Sequence, residues 1–446
     1  MALDRDSLEI LSRALERLDS RFSTLPAFAA APPGADRLEE VSLELAEKLA
    51  DNYPYFHPLY AGQMLKPPHP VARLAYSLAL FINPNNHALD GGRATSELEK
   101  EAVREIAAML GWTEFLGHLA GGGTMANLEA LWVAGQRHPG KVIVASDQAH
   151  YTHSRISAVL RLPFEKIRSD SLGRMDLNAL AERAAQGDVG TVVATLGTTA
   201  TGSVDPLPGI LELGSRYGFR VHADAAYGGY FLLARNLGEN AQKSLESMGQ
   251  ADSVVIDPHK HGLQPYGCGC VLFRDPAVGQ LYQHHSQYTY FTSSQLHLGE
   301  ISLECSRPGA AAAALWATQK LLPLEPGGEF ARGLERGREA ALKYWHGLAE
   351  ARAFAAPFEP ELDIVVFVPQ GASPADISAR SRRIFAAAAR RGLHLAMADL
   401  PVKFWKGLGG EGSVTCLRSV LMKPEHLDWI ERILAVLRRA SADEQA

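Results

Sequence analysis

Asp252-Ser-Val-Val-Ile-Asp-Pro-His-Lys260-His-Gly262 decides how the rest of this chain is read. Val254-Val255-Ile256 is a short apolar run, the signature of a buried strand. Asp257-Pro258 ends it, because proline has no N–H to give to a sheet ladder. His259 and Lys260 are thereby delivered on a loop at the carboxyl end of a strand. A lysine held at such an edge can be desolvated, and desolvation lowers an amine's pKa toward nucleophilic use. Taken alone, Pro-His-Lys is better explained by a surface turn. It does not stand alone. His222-Ala-Asp224-Ala-Ala226-Tyr-Gly228-Gly229 reads as a second strand end, and it carries an acid. Lys260 follows Asp224 by 36 residues, room for one helical crossover between neighbouring strands.

Other strand ends repeat the pattern. Leu116 to Ala120 reads as a strand and runs into Gly121-Gly-Gly123-Thr124-Met-Ala-Asn127, followed by an apolar-periodic helix. A glycine turn feeding a helix N-terminus presents free N–H groups and the positive end of the helix dipole, which suits an anion such as phosphate. The stretch lacks the Walker lysine and the spacing of a dinucleotide fingerprint, and a plain tight turn also explains it. Lys141 to Ala145 reads as a strand ending near His150, and Gly190 to Leu196 as one ending in Gly197-Thr198-Thr199-Ala-Thr201-Gly202. In a doubly wound sheet, ligands collect beyond such carboxyl ends.

An acid on one strand end and a lysine on the next suit pyridoxal phosphate. The lysine forms the Schiff base, and the acid keeps the pyridine nitrogen protonated so that the ring accepts electrons. With these motifs together, the chain resembles the group II pyridoxal-phosphate-dependent amino-acid decarboxylases of fold type I, and within them the bacterial tyrosine decarboxylase branch. The resemblance runs from about Tyr55 to about Leu322.

The resemblance implies an α/β, aspartate-aminotransferase-like fold. A large domain, residues 58–322, carries a mixed, mostly parallel seven-stranded sheet. A helical N-terminal arm, residues 1–57, precedes it, and a small α/β domain, residues 323–446, follows. It implies a homodimer with active sites at the interface. In that frame Lys260 holds the cofactor, Asp224 faces the pyridine nitrogen, and His150 stacks on the ring beside the substrate carboxylate. Gly123 and Thr124 hold the phosphate, and Thr198 and Thr199 offer hydroxyls to the cofactor. Ala226 lies flat against the ring, and Asp257 and His259 flank the lysine. Ser306-Arg307 resembles the family's Glu-Gly-Ser-Arg segment, with Cys305 in the glycine's place, which sets Ser306 near the phosphate; helix capping is its alternative role.

Tyr60, Gln63 and Met64, in an aromatic loop, become substrate-pocket candidates. Asp90-Gly-Gly-Arg93-Ala-Thr95-Ser-Glu97-Leu-Glu99 resembles a segment that reaches the neighbouring subunit's site, but Gly92-Arg93 replaces the family's Ser-Pro. An arginine there can clamp a carboxylate or phenolate, or form a structural ion pair. Thr95 or Ser96 is expected to cap the helix that follows. Tyr282 to His297 reads as a long loop of the kind that closes over sites, and Tyr288 or Tyr290 is the expected proton donor to the substrate's α-carbon.

Whole-chain properties agree. The 446 residues are 46% hydrophobic and 21% charged, with a net charge of −6, so nothing calls for nucleic acid or an anionic membrane. No apolar run approaches the roughly 18 residues of a spanning helix, and Met1 to Asp6 has no basic n-region. Four cysteines in a chain this long fit a reducing cytoplasm. Cys268-Gly-Cys270 has the wrong spacing for zinc, and no metal is assigned to it or to the pairs His284-His285 and His150/His153. A nicotinamide enzyme is disfavoured, because no Gly-x-Gly-x-x-Gly with a following acid at the right distance appears.

The expected reaction is α-decarboxylation of an L-amino acid, aromatic such as tyrosine, to an amine and carbon dioxide. Decarboxylation of an acidic amino acid, or aldehyde synthesis or lysis on the same scaffold, are the alternatives.

Overall fold

The computed structural model describes residues 5–26, 34–87, 89–283, 301–350, 353–405, 408 and 411–445. Seven strands form the central sheet: β1 (Leu116–Ala120), β2 (Val142–Ser146), β3 (Phe164–Ile167), β4 (Val189–Thr195), β5 (Arg220–Asp224), β6 (Ser253–Ile256) and β7 (Gly269–Phe273). Their order is β1-β7-β6-β5-β4-β2-β3. Only β7 runs against the others, pairing antiparallel with both β1 and β6. The carboxyl ends of β1, β2, β4, β5 and β6 therefore meet at one edge.

The strands read as apolar because helices cover both faces of the sheet. Every residue of β4, β6 and β7 is buried, as a parallel sheet with two covered faces requires. Val254, Val255 and Ile256 are fully buried, and each such side chain contributes about 1.5–3 kcal/mol. The helix Gly123–Arg137 lies on β6 and β7. The helix Glu239–Glu246 sits in the crossover from β5 to β6, and those two strands pair in parallel with Asp224 opposite Val255. The spacing between Asp224 and Lys260 therefore does place them on adjacent strands.

A second sheet holds β8 (Phe354–Ala355), β9 (Ile364–Pro369), β10 (Ala396–Pro401) and β11 (Ser413–Val420), in the antiparallel order β10-β11-β9-β8. The helices Glu329–Glu350, Pro374–Arg390 and His426–Gln445 pack with it. Tyr60 bridges to His394, and Val420 N–H donates to Ala61 O. The aromatic loop at Tyr60 is thus built into this C-terminal layer. The two N-terminal helices, Arg5–Asp19 and Ala35–Leu49, bury no residue in a single chain, and Leu8, Leu43 and Leu49 are each more than half exposed.

Several boundaries differ from expectation. Thr95 does not cap a helix start: the helical stretch Leu89–Met109 is broken at Gly92, so the second piece begins before Thr95, which lies inside its first turn. Thr95 Oγ1 instead donates to Asn86 Oδ1 at 2.5 Å inside the fold. The strand expected from Tyr266 begins at Gly269, because residues 263–268 turn first. No helix among the described residues is long and apolar enough to cross a membrane.

Candidate active site

The strand ends enclose a cavity of about 520 Å³. β1 delivers Gly121 to Met125, β2 delivers His150, β4 delivers Thr195 to Thr199, β5 delivers Asp224 and β6 delivers Asp257 to Lys260. Of the residues expected at the site, Gly123, Thr124, His150, Thr199, Asp224, Ala226, Asp257, His259 and Lys260 all line it.

Asp224 lies at the floor, buried. Its Oδ2 accepts from His153 Nε2 at 2.8 Å and its Oδ1 accepts from Ala226 N–H at 3.2 Å. Burial alone would push this carboxyl up; the bond from His153, with the charge of Lys260 nearby, holds it well below the usual carboxylate range. It stays ionised. His222, two residues earlier on β5, bonds Asn127 Oδ1 at 2.7 Å and Ser253 Oγ at 2.8 Å. Burial drives His222 down to about 3, so it is neutral there.

Lys260 is partly exposed, and its Nζ lies 2.9 Å from Asp257 Oδ2. The expectation of a desolvated amine is thus replaced by an ion pair with a buried carboxylate. His259 donates from Nδ1 to Cys268 O at 2.8 Å and stacks near Tyr266, with ring centroids 4.7 Å apart. His150 is half-buried, and burial lowers its pKa, which favours a neutral ring.

The remaining expected residues stand elsewhere. Thr198 is fully buried and its hydroxyl bonds Thr201 Oγ1 at 2.7 Å, closing the turn rather than facing the cavity. Ser306 Oγ accepts from Asn85 Nδ2 at 3.1 Å. Its neighbour Arg307 is buried against Glu99 at 2.6 Å. Tyr60 is buried against His394, and Gln63 lies 3.5 Å from Arg418 Nη1. Met64 does not line the cavity; its carbonyl accepts from Tyr266 O–H at 2.8 Å, and its side chain packs against the core. Arg93 is exposed. Tyr288 and Tyr290 lie outside the described residues.

Three residues escaped the sequence reading. His153 was seen only as half of an unsupported metal pair. Asn127 ties the glycine loop to β5, its Nδ2 donating to Gly123 O at 2.8 Å while Oδ1 faces His222. Arg418, on β11, is buried, and its Nε and Nη2 have no hydrogen-bond partner among the described residues.

The cavity's own walls fit pyridoxal phosphate. A Cβ on Gly123 would stand 2.5 Å from Asp257 Oδ2, and Gly122 takes φ +142, so only glycine leaves this cradle open. The helix Gly123–Arg137 has no side-chain cap, which leaves its first N–H groups for an anion. Glu304 Oε2 already accepts from Gly121 N–H at 2.8 Å, so a carboxylate sits at the mouth of the loop. Asp257 Oδ1 is buried with no partner among the described residues.

Comparison with known proteins agrees with this geometry. The family described as "Pyridoxal-dependent decarboxylase conserved domain" matches residues 136–369. A probable L-tyrosine/L-aspartate decarboxylase of Methanothermobacter thermautotrophicus is 30% identical over 331 residues, 72% of this chain and 85% of the relative. An L-tyrosine decarboxylase of Enterococcus faecium is 27% identical over 390 residues, 65% of this chain and 64% of the relative. An L-aspartate decarboxylase of Thermococcus kodakarensis is 29% identical over 339 residues, covering 74% and 84%. Among solved structures, Oryza sativa TDC with PLP and tryptamine shares the fold at a TM-score of 0.79 and 16% identity, covering 98% of this chain and 96% of that one. The family match, the relatives and the cavity lead to one assignment: the chain belongs to the pyridoxal-phosphate-dependent amino-acid decarboxylases.

Proposed function

We propose that this decarboxylase acts on an aromatic L-amino acid, through Lys260, Asp224 and His150, as a cytoplasmic homodimer. The observation that carries the site assignment is the juxtaposition of Asp224 and Lys260 on adjacent strands, facing one cavity with His150. Bound pyridoxal phosphate supplies an electron-accepting ring for the bonding pair released as carbon dioxide departs. Lys260 Nζ would hold the cofactor at its aldehyde carbon. The N–H groups at Gly122 to Thr124 hold its phosphate, with Thr199 beside them. Asp224 holds a proton at the pyridine nitrogen, and His153 positions Asp224 by donating to its far oxygen. His150 orients the ring and the substrate carboxylate. Tyr288 or Tyr290 returns a proton to the substrate's α-carbon. Arg418, with buried donors to spare beside Gln63, suits a carboxylate of the substrate.

The exposed apolar faces of the two N-terminal helices support an arm that packs on a partner subunit. In that dimer Arg93 faces the partner's site. Four free cysteines, three of them buried, support the cytoplasm. The aromatic substrate draws on the relatives named for tyrosine and on the ring cluster of Tyr53, Tyr55, Tyr60 and His394. The relative named for aspartate, with Arg418, favours an acidic substrate as the second reading.

The test is carbon dioxide release from a panel of L-amino acids, with the product identified. Tyrosine turned over to tyramine supports the first reading. Aspartate turned over instead supports the second, and aldehyde or ammonia in place of amine overturns both. Borohydride should fix a pyridoxyl group onto the peptide containing Lys260; fixation at another lysine removes Lys260 from its role.

A further inference from the structure

His261, the residue after Lys260, lines a second cavity, about 570 Å³ in volume, which shares no lining residue with the first. We infer that this cavity is a binding site for a small molecule that carries a carboxylate or phosphate on an apolar body. Five cations line it, and Arg336 among them is already paired with Asp428 at 2.7 Å. Lys66, Arg73, Arg332 and Lys423 remain, against two carboxylates, Glu329 and Glu425.

The two lysines are held by backbone carbonyls rather than by acids. Lys423 Nζ donates to Tyr60 O at 2.6 Å, and Lys66 Nζ donates to Met422 O at 3.3 Å. Lys423 is 3% exposed. Two ammonium groups near one another, with little water and no direct carboxylate partner, create a positive potential inside the cavity. Burial lowers Lys66 to about 8 and Lys423 to about 7, so at neutral pH Lys66 is mostly charged and Lys423 about half charged, and a bound anion would draw both to the charged form.

His261 adds an independent sign of a ligand. It is buried, and neither ring nitrogen has a hydrogen-bond partner among the described residues. Its Nε2 lies 3.3 Å from Asp363 Oδ2, outside hydrogen-bonding geometry. Buried polar atoms of this kind are normally satisfied, and a polar ligand would satisfy one here. Phe330, Leu322 and Leu263 supply the apolar part of the wall. The volume is that of a small-molecule site.

The experiment is a calorimetric titration of the cofactor-loaded enzyme at neutral pH with two probes, inorganic phosphate and benzoate. The visible absorbance of the cofactor is followed in parallel, to show that the first cavity stays filled. The expected result is saturable binding of at least one probe, weakened about 10-fold or more in Lys423→Met. The double variant Arg73→Ala/Arg332→Ala changes only exposed side chains and should weaken binding likewise, so a folding defect in Lys423→Met does not blunt the test. Preference between the probes distinguishes a phosphate ligand from a carboxylate. Saturable binding of neither probe, or equal affinity in wild type and the double variant, overturns the inference.

Discussion

Asp224 and Asp257 follow adjacent parallel strands, both nearly inaccessible to water, and their charges are met in opposite ways. Asp224 is held by donors that belong to the scaffold, His153 Nε2 and Ala226 N–H. Asp257 is held by Lys260, a partly exposed amine at 2.9 Å, and its other oxygen has no partner among the described residues. A carboxylate fixed by scaffold donors keeps its charge whatever enters the cavity. One fixed by Lys260, the proposed reacting amine, would lose that partner on the amine's engaging a ligand. His259 Nε2 lies 3.6 Å from Asp257 Oδ2, but its ring proton is on Nδ1, given to Cys268 O, so it offers that oxygen no donor. The first acid is built to stay constant, and the second is built to release.

Four experiments break or sharpen this contrast. The largest effect is expected from Lys260→Ala, which removes the amine proposed to bind the aldehyde: kcat should fall by on the order of 10³-fold or more. Cofactor fixation by borohydride, read by peptide mass, should vanish with it. Activity retained within a factor of ten would show that another amine serves. Asp224→Asn keeps the shape and removes the charge. A loss of about 10²-fold in kcat is expected, equivalent to about 2.7 kcal/mol at the barrier.

His153 separates donor from bulk. His153→Leu should cost about 10-fold in kcat, as the loss of a hydrogen bond to a buried charge predicts, while His153→Gln, which still donates, should cost about 3-fold or less. Nitrogen NMR of ring-labelled cofactor checks the route: the pyridine nitrogen should lose proton occupancy in the leucine variant only. An unprotonated nitrogen in wild type would count against Asp224 itself. A protonated one in both proteins would remove His153 from the argument.

The smallest effect is one of slope. His222 is driven down to about 3, below its unfolded value of about 6.5, so the unfolded chain takes a proton that the native chain refuses. Stability should therefore fall as pH drops from about 6.5 toward 3, by about 1.4 kcal/mol per pH unit from this residue. Asp224 acts later. Its native pKa lies below the unfolded value of about 3.9, so its contribution is present above that pH and is lost as pH falls through the native value. Urea midpoints at pH 7, 6, 5 and 4 for wild type and His222→Gln would show whether the first slope belongs to His222.

Much of the fold was legible because buried parallel strands read as apolar runs. β2, β4 and β6 carry that mark, and the turns at their ends expose the site residues; β5, Arg220-Val-His-Ala-Asp224, was placed by the acid it carries and not by an apolar run. β3, Phe164-Glu-Lys-Ile, was not legible: at the sheet edge its central residues are exposed and charged, so the apolar run never forms. The helix Thr152–Val159 has eight residues of mixed polarity, and with it His153 was hidden. A histidine three places after His150 gains meaning only once that helix turns it under Asp224. Thr198 shows the reverse error. A threonine-rich turn can aim its hydroxyls outward or inward, and here Gly197 at φ +110 and Gly202 at φ +71 curl it inward. The helix Pro70–Leu80 was readable in hindsight, with proline in its first turn and His69 capping it.

Asn127 deserves to be seen as a gauge. Its amide spans from the carbonyl of Gly123 to His222, two residues from Asp224 on the same strand. One short side chain, bonded at both ends, thus joins the proposed anion cradle to the strand of the proposed pyridine acid. A cofactor analogue with one more methylene between ring and phosphate should be unable to satisfy both ends at once.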